Sequence, residues 1–208
     1  SDTVTPSVVG WAKGRVIVAV ANVLYNPTTA FSGSAALPAA LFTHPDAAFT
    51  WVGVAEGTSW IYAGGTSGDK STVYKTAVKA DGTALDIPTV AGRLPNGETL
   101  TSIYGYLGVL VLGTTRGFRI AAASQAGDLT IGSLVDIGVA IRQMDGHGTF
   151  VHFGWSNYDA TSTGTGHMDL STLTDGDNLV PAYASDIMAT GQGVVTGIAH
   201  LNGRALFG

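Results

Sequence analysis

The stretch Leu107-Gly108-Val109-Leu110-Val111-Leu112-Gly113-Thr114-Thr115-Arg116-Gly117-Phe118-Arg119-Ile120 decides how this chain folds. An aliphatic run ends in Gly113, and a Gly-aromatic-Arg segment begins four residues later. That second segment reads as a strand over 117–124. The triplet Ala126-Gly127-Asp128 has turn chemistry, and 129–135 reads as a further strand. Runs of this length, apolar and bounded by Gly, Asp or Ser, are strand signals rather than helix signals.

Working outward, the same shape recurs as a short apolar strand closed by a small residue. It appears as Gly14-Arg15-Val16-Ile17-Val18-Ala19, as Ser59-Trp60-Ile61-Tyr62-Ala63-Gly64, as Thr149-Phe150-Val151-His152-Phe153-Gly154 and as Gly203-Arg204-Ala205-Leu206-Phe207-Gly208. The last residues fall at 19, 64, 113, 154 and 208, so the spacings are 45, 49, 41 and 54. A hairpin follows each middle anchor. After Gly64 it is 71–79, an Asp81-Gly82 turn and 84–89. After Gly154 it is 167–173, an Asp175-Gly176-Asp177 turn and 178–184. One more strand precedes each anchor, as 49–54 precedes 59–63. Four short antiparallel strands per 40–50 residues is the spacing of a β-propeller blade. A sandwich or barrel also places strands every 8–12 residues, but three hairpins at matching offsets favour the propeller.

The expected fold is therefore all-β: a β-propeller-like array of four to five four-stranded antiparallel blades. The blades are placed at 1–45, 46–98, 99–140 and 141–190, with a partial one at 191–208. The apolar strand at the end of the sequence leads to the expectation of a slice of a larger propeller. The segment 38–42, with Ala on both sides, is read as strand or loop, and the Thr/Gly stretch 160–166 as a flexible surface loop.

Composition agrees. Gly contributes 29 of 208 residues and Thr 25, and both are poor in helix interiors. Charged residues are 12% of the chain, about half the usual quarter, which leaves too few for amphipathic helices. The net charge of −5 disfavours duplex nucleic acid or an anionic membrane as main partner. No apolar run approaches the ~18 residues of a membrane span. There is no Cys, which excludes disulfides, zinc-thiolate sites and thiol catalysis.

The segment 107–120, with Ala126-Gly127-Asp128-Leu129-Thr130-Ile131-Gly132-Ser133-Leu134 after it, resembles the blade repeat of minor tail proteins of long-tailed bacteriophages. The likeness is strongest over 99–140 and extends to 49–98, where Trp60-Ile61-Tyr62-Ala63-Gly64-Gly65 stands in the equivalent place. It implies a virion structural protein at the tail tip or baseplate, assembled in several copies with other tail proteins in the host cytoplasm. Contact with a host surface glycan or protein is a further implication. The missing cysteines agree with assembly in a reducing cytosol.

The chemistry read from the residues is sparse. There is no Gly-x-Ser-x-Gly elbow and no P-loop. The 13 Asp and two Glu form no ordered pair of the kind a glycosidase needs. An enzyme is not expected, nor a catalytic residue, a metal or a cofactor. His147 and His152 lie five apart, which on one strand means opposite faces. Asp145, His147 and His152 are weighed as a metal site, and polar loop and strand residues are preferred. Asp175-Gly176-Asp177-Asn178 lacks the further carboxylates of a calcium loop and is read as a turn. Lys13, Arg15, Arg116 and Arg119 read as solvated or paired. The candidate ligand contact is the aromatic loop Trp155, Asn157, Tyr158 and Asp159, where flat rings lie beside polar groups. There, packing of Trp155 between blades and a turn closed by Tyr158 are the favoured reading. A receptor- or carbohydrate-binding propeller is the first alternative function, and a propeller glycoside hydrolase the second.

Overall fold

The computed structural model describes residues 5–27, 37–173, 181–184, 188–189 and 193–208. Among them there is no helix, and all regular structure is antiparallel sheet. The first sheet holds β1 (Val8–Ala12), β2 (Arg15–Val20), β3 (Val23–Tyr25) and β4 (Phe42–Thr43). The second holds β5 (Thr50–Glu56), β6 (Ile61–Ser67), β7 (Lys70–Thr76) and β8 (Thr89–Arg93). The third holds β9 (Leu100–Tyr106), β10 (Val109–Thr114) and β11 (Gly117–Ala123), with β12 (Leu129–Ile131) and β13 (Val135–Asp136) sharing the far side of β11. The fourth holds β14 (Ala140–His147), β15 (Phe150–Ser156) and β16 (Thr163–Leu173), with β17 (Pro181–Ala184) and β18 (Met188–Ala189) both on β16. A hairpin of β19 (Ile198–Leu201) and β20 (Arg204–Phe207) follows.

Apart from β13 and β18, which pair with β11 and β16, each strand pairs with a sequence neighbour, so the sheets are meanders. The five apolar segments closed by a small residue each fall on the second strand of their sheet. First and second strands are joined at Lys13-Gly14, Leu107-Gly108 and Asn202-Gly203, where both residues have positive φ, as a two-residue hairpin turn requires.

Four segments differ from their sequence reading. The strand expected over 129–135 is two short ones, β12 and β13, both paired with β11. The fourth strand of the second sheet is Thr89–Arg93, not 84–89. The Asp81-Gly82 turn closes only a Val78–Leu85 bridge, and the chain then runs on to pair with β7. The stretch 163–166 is not a surface loop but the start of β16. Gly164 and Gly166 lie directly opposite Trp155 and Phe153. A Cβ on Gly166 would come 2.5 Å from the Phe153 ring, so the absent side chain is what lets the aromatic lie across the strand. In 38–42, only Phe42 is in a strand. The expected Asp175-Gly176-Asp177 turn lies outside the described residues.

The sheets stack face to face with a core in each interval. Ile17, Ala19 and Leu24 meet Trp51, Ile61, Ala63 and Tyr74 between the first and second sheets. Tyr62 and Val73 meet Leu100, Leu110 and Leu112 between the second and third. Val111, Phe118 and Ile120 meet Ile141, Val151, Phe153 and Met168 between the third and fourth. Successive residues of a strand face opposite ways, so Leu110 and Leu112 enter one core and Val111 the next. Burial on both faces is why these strands read as unbroken apolar runs rather than alternating ones.

The first strands of consecutive sheets, β1, β5, β9, β14 and β19, lie one against the next. Four of them surround a cavity of about 300 Å³, lined by 7–10, 52–54, 101–103 and 142–143. Strands converging on a common centre are crowded, and small residues stand where they meet. A Cβ on Gly10 of β1 would come 2.7 Å from Val54 of β5, and one on Gly53 of β5 would come 2.9 Å from Ile103 of β9. One on Gly105 of β9 would overlap the Glu56 carbonyl oxygen, and one on Gly146 of β14 would come 2.5 Å from the Tyr106 ring. Among the described residues the series is open. Trp11 on β1 is 68% exposed, and Leu201 and Leu206 on the last hairpin are 61% and 50% exposed.

Candidate functional site

Four of the chain's five histidines gather on one face of the fourth sheet. The cause is the hairpin between β14 and β15. It turns at Gly148-Thr149, and its register sets Asp145 opposite His152 and His147 opposite Phe150. Residues two apart on a strand share a face, so Asp145, His147 and His152 lie together. The spacing of five that would separate His147 and His152 on one strand instead unites them across a turn. His167 of β16 is directly opposite His152 and joins the same face. That face is outward because Val151, Phe153 and Met168 fill the third core from the other side.

β19 then lays His200 across the group. Its Nδ1–H donates to Asp145 Oδ2 at 2.7 Å, and its Nε2 lies 3.0 Å from His152 Nδ1. His147 stacks on the His200 ring with centroids 5.1 Å apart and planes 17° apart. Tyr104 of β9 donates its hydroxyl to Asp145 Oδ1 at 3.1 Å and accepts the Gly146 N–H at 2.9 Å. The result is a hydrogen-bonded chain, Tyr104–Asp145–His200–His152. The His200 side chain is only 10% exposed.

Burial pushes the Tyr104 hydroxyl up to about 12, with the Asp145 charge adding to the effect, so it stays a donor at any ordinary pH. The His152 imidazole is held below its ordinary value, first by burial and then by His200, His167 and His147 around it; Asp145 opposes them. Among the described residues, no three His, Asp or Glu side chains converge in a way that would hold a metal ion. The pairing of His200 with Asp145, 55 residues apart, has no signature in sequence spacing. The alternation of Asp145 and His147, then Phe150 and His152, around Gly148-Thr149 was the signal available.

The loop singled out in the sequence is divided. Trp155 is 5% exposed, packs in the third core and donates its indole N–H to the Thr165 carbonyl at 3.1 Å. It is not displayed with its loop neighbours. Asn157 and Asp159 hold the loop closed. Asn157 Oδ1 accepts the Ser162 N–H and its amide donates to Thr161, while Asp159 Oδ1 accepts both the N–H and the hydroxyl of Thr161. Those bonds hold the Asp159 carboxyl below its usual value. Tyr158 stands at the tip, 99% exposed. Tyr158→Ala is therefore expected to change stability by no more than about 0.5 kcal/mol, checked by thermal unfolding against the unsubstituted chain. A shift of several degrees would mean that the ring packs on something.

The basic residues pair locally. Arg119 is gripped by Glu98, with Nε–Oε2 at 2.7 Å and Nη2–Oε1 at 2.5 Å, and also donates to the Gly132 carbonyl. Lys13 pairs with Glu56 and Arg116 with Asp136. Arg15 donates to Asn26 and to the Gly82 carbonyl. In the central cavity the lining includes Arg142 and Gln143 and no Asp or Glu.

No protein-family model and no curated protein sequence matches the chain. Among solved structures, the chain is similar to one described as the AfRom2 CNH domain, at 12% identity and a TM-score of 0.49. The similarity covers 93% of this chain and 60% of that one, so the chain spans about three fifths of its length. No helix among the described residues is long and apolar enough to cross a membrane.

Proposed function

We propose that the four sheets and the last hairpin are consecutive blades of a β-propeller that works as a rigid structural platform in a virion. The platform is a tail-tip or baseplate component of a long-tailed bacteriophage. The observation that carries the propeller reading is the succession of four first strands around one cavity, with a glycine where β1 meets β5, β5 meets β9 and β9 meets β14. Blades of a propeller present their first strands to the axis, where space is shortest. The tail reading rests on the resemblance of 107–134 to tail-protein blade repeats. A stiff, weakly charged module suits large contacts with other tail proteins, since the centres of such contacts are depleted in charge.

The exposed loop closed by Asn157 and Ser162 gives a handle for the test. An antibody raised against 157–162, applied to intact phage particles, is expected to decorate the tail tip in electron micrographs. Decoration of heads alone, or of no particle while the free protein binds the antibody, would overturn the placement.

One observation favours a second reading. Tyr158 is a fully displayed aromatic on a loop that Asn157 and Asp159 hold in shape, which is how a surface ring meets a glycan or protein. Because Tyr158 is free of the core and Trp155 is in it, the two residues cannot be used alike. Truncating Trp155 tests folding, and truncating Tyr158 tests contact. Particles that assemble normally with Tyr158→Ala but adsorb at least tenfold more slowly would establish host binding. Unchanged adsorption would leave the platform role alone.

A further inference from the structure

We propose that His152 and His200 form an acid-sensitive clasp, which holds the β19–β20 hairpin on the fourth sheet and releases it in mild acid. This inference rests on the side-chain geometry and not on the virion reading.

The hairpin is lightly held. Among the described residues it has two strands where the other sheets have four or more, and its residues Leu201, Arg204 and Leu206 face solvent. Among the described residues, its inner contacts include those of β19 with β14 and β15, where His200 meets Asp145, His147 and His152, and of the preceding Val195 over Gly154. His200 therefore carries a large share of the docking. Its Nε2 lies 3.0 Å from His152 Nδ1, a distance that fits one shared proton. A neutral imidazole presents one N–H and one lone pair. With one proton between them the two nitrogens attract. With two, an N–H faces an N–H and the contact becomes repulsive.

The surrounding charges sharpen this. From β14, Asp145 faces His200 and His147 stacks on it. From β16, His167 lies beside His152, and Asp169 acts on His167 from further along the strand. From β9, Tyr104 presents a hydroxyl that stays neutral. From the hairpin itself, Arg204 is exposed. Among the described residues, Asp145 is the one carboxylate bonded to the His200–His152 pair, so it can balance one imidazolium but not two. Docked, His152 takes up a proton less readily than an ordinary imidazole, because it is buried among like groups. Undocked, it regains water and loses His200. The open form thus binds more protons as pH falls below the ordinary imidazole value of about 6.5, and acid favours opening. One extra proton taken up by the open form changes the equilibrium by up to about tenfold per pH unit.

The test is hydrogen–deuterium exchange of the full chain at pH 7.5 and pH 5.5, with exchange times scaled for the intrinsic pH dependence. The expected result is a loss of protection of about tenfold in peptides spanning 198–207 at pH 5.5, with β10 and β11 unchanged as internal reference. In His200→Gln the hairpin is expected to exchange alike at both pH values. If that variant is already open at pH 7.5, its protection should equal that of the unsubstituted hairpin in acid, and the clasp stands. His44→Gln, remote from the group, should keep the full response. Equal protection of 198–207 at the two pH values in the unsubstituted chain would overturn the proposal. So would a tenfold response that survives in both His152→Gln and His200→Gln.

Discussion

Gly105→Ala is expected to destabilise the chain by about 3 kcal/mol or more, because the added methyl lands on backbone rather than on a movable side chain. The position of that methyl is already held by the Glu56 carbonyl oxygen at the end of β5. To admit it, β5 and β9 must move apart, and those strands also carry Trp51, Ala55, Leu100 and Ile103 into two cores. Densely packed interiors resist such shifts. The matched control is Gly197→Ala, where an added Cβ meets nothing within 4 Å, and a change within about 0.5 kcal/mol is expected there. Chemical denaturation of the two variants beside the parent chain decides the matter. Equal midpoints for all three would mean that the first strands are not as close as described, and the convergent arrangement would fail with them.

Glu98→Ala should cost about 3–5 kcal/mol, the range for removing one partner of a buried ion pair. The Glu98 and Arg119 side chains are 11% and 13% exposed, and the guanidinium holds both carboxylate oxygens and the Gly132 carbonyl. Removal of the carboxylate strands a charge that water cannot easily reach. The effect should change little with added salt, since the pair is shielded from counter-ions. Replacing both residues with apolar ones, as Glu98→Leu with Arg119→Met, should recover much of the loss, because the penalty comes from the unpaired charge rather than from the absence of the bond. Exposed pairs such as Arg116–Asp136 should contribute no more than about 1 kcal/mol. A Glu98→Ala variant as stable as its parent would show that Arg119 finds another partner or swings into water.

Strand identity was the legible part of this fold. The run at 109–112 and its relatives are apolar without interruption because each sheet is covered on both faces, and that same burial makes them conspicuous. Turns were legible where Gly stands beside Asp, as at Asp81-Gly82 and Gly127-Asp128, whereas the Leu107-Gly108 turn lies hidden inside an apolar run. The fourth strands were harder. The β8 strand gains its place by pairing with β7, and Thr89–Arg93 has no strong pattern of its own. Gly164 and Gly166 were misleading for a related reason. A Thr/Gly stretch resembles a loop until the rings of Phe153 and Trp155 are laid across it.

The candidate site was half legible. Asp145, His147 and His152 were visible as a group, but period-two reasoning fails across a hairpin turn. His167 and His200 join through strand register and through packing of a separate hairpin, neither of which is written locally. Trp155 and Tyr158 were singled out together as a contact loop, with packing of Trp155 between blades the favoured reading, and Trp155 is indeed packed in the third core while Tyr158 stands at an outward turn tip.

The proposed tail-tip role is tested most directly by following the native polypeptide through fractionation of a phage lysate, with its denatured intact mass and copy number measured in each fraction. Recovery is expected in the virion-sized fraction, at a fixed ratio to known tail proteins. A polypeptide carrying this sequence that is found only as free protein, and never with particles, would contradict it.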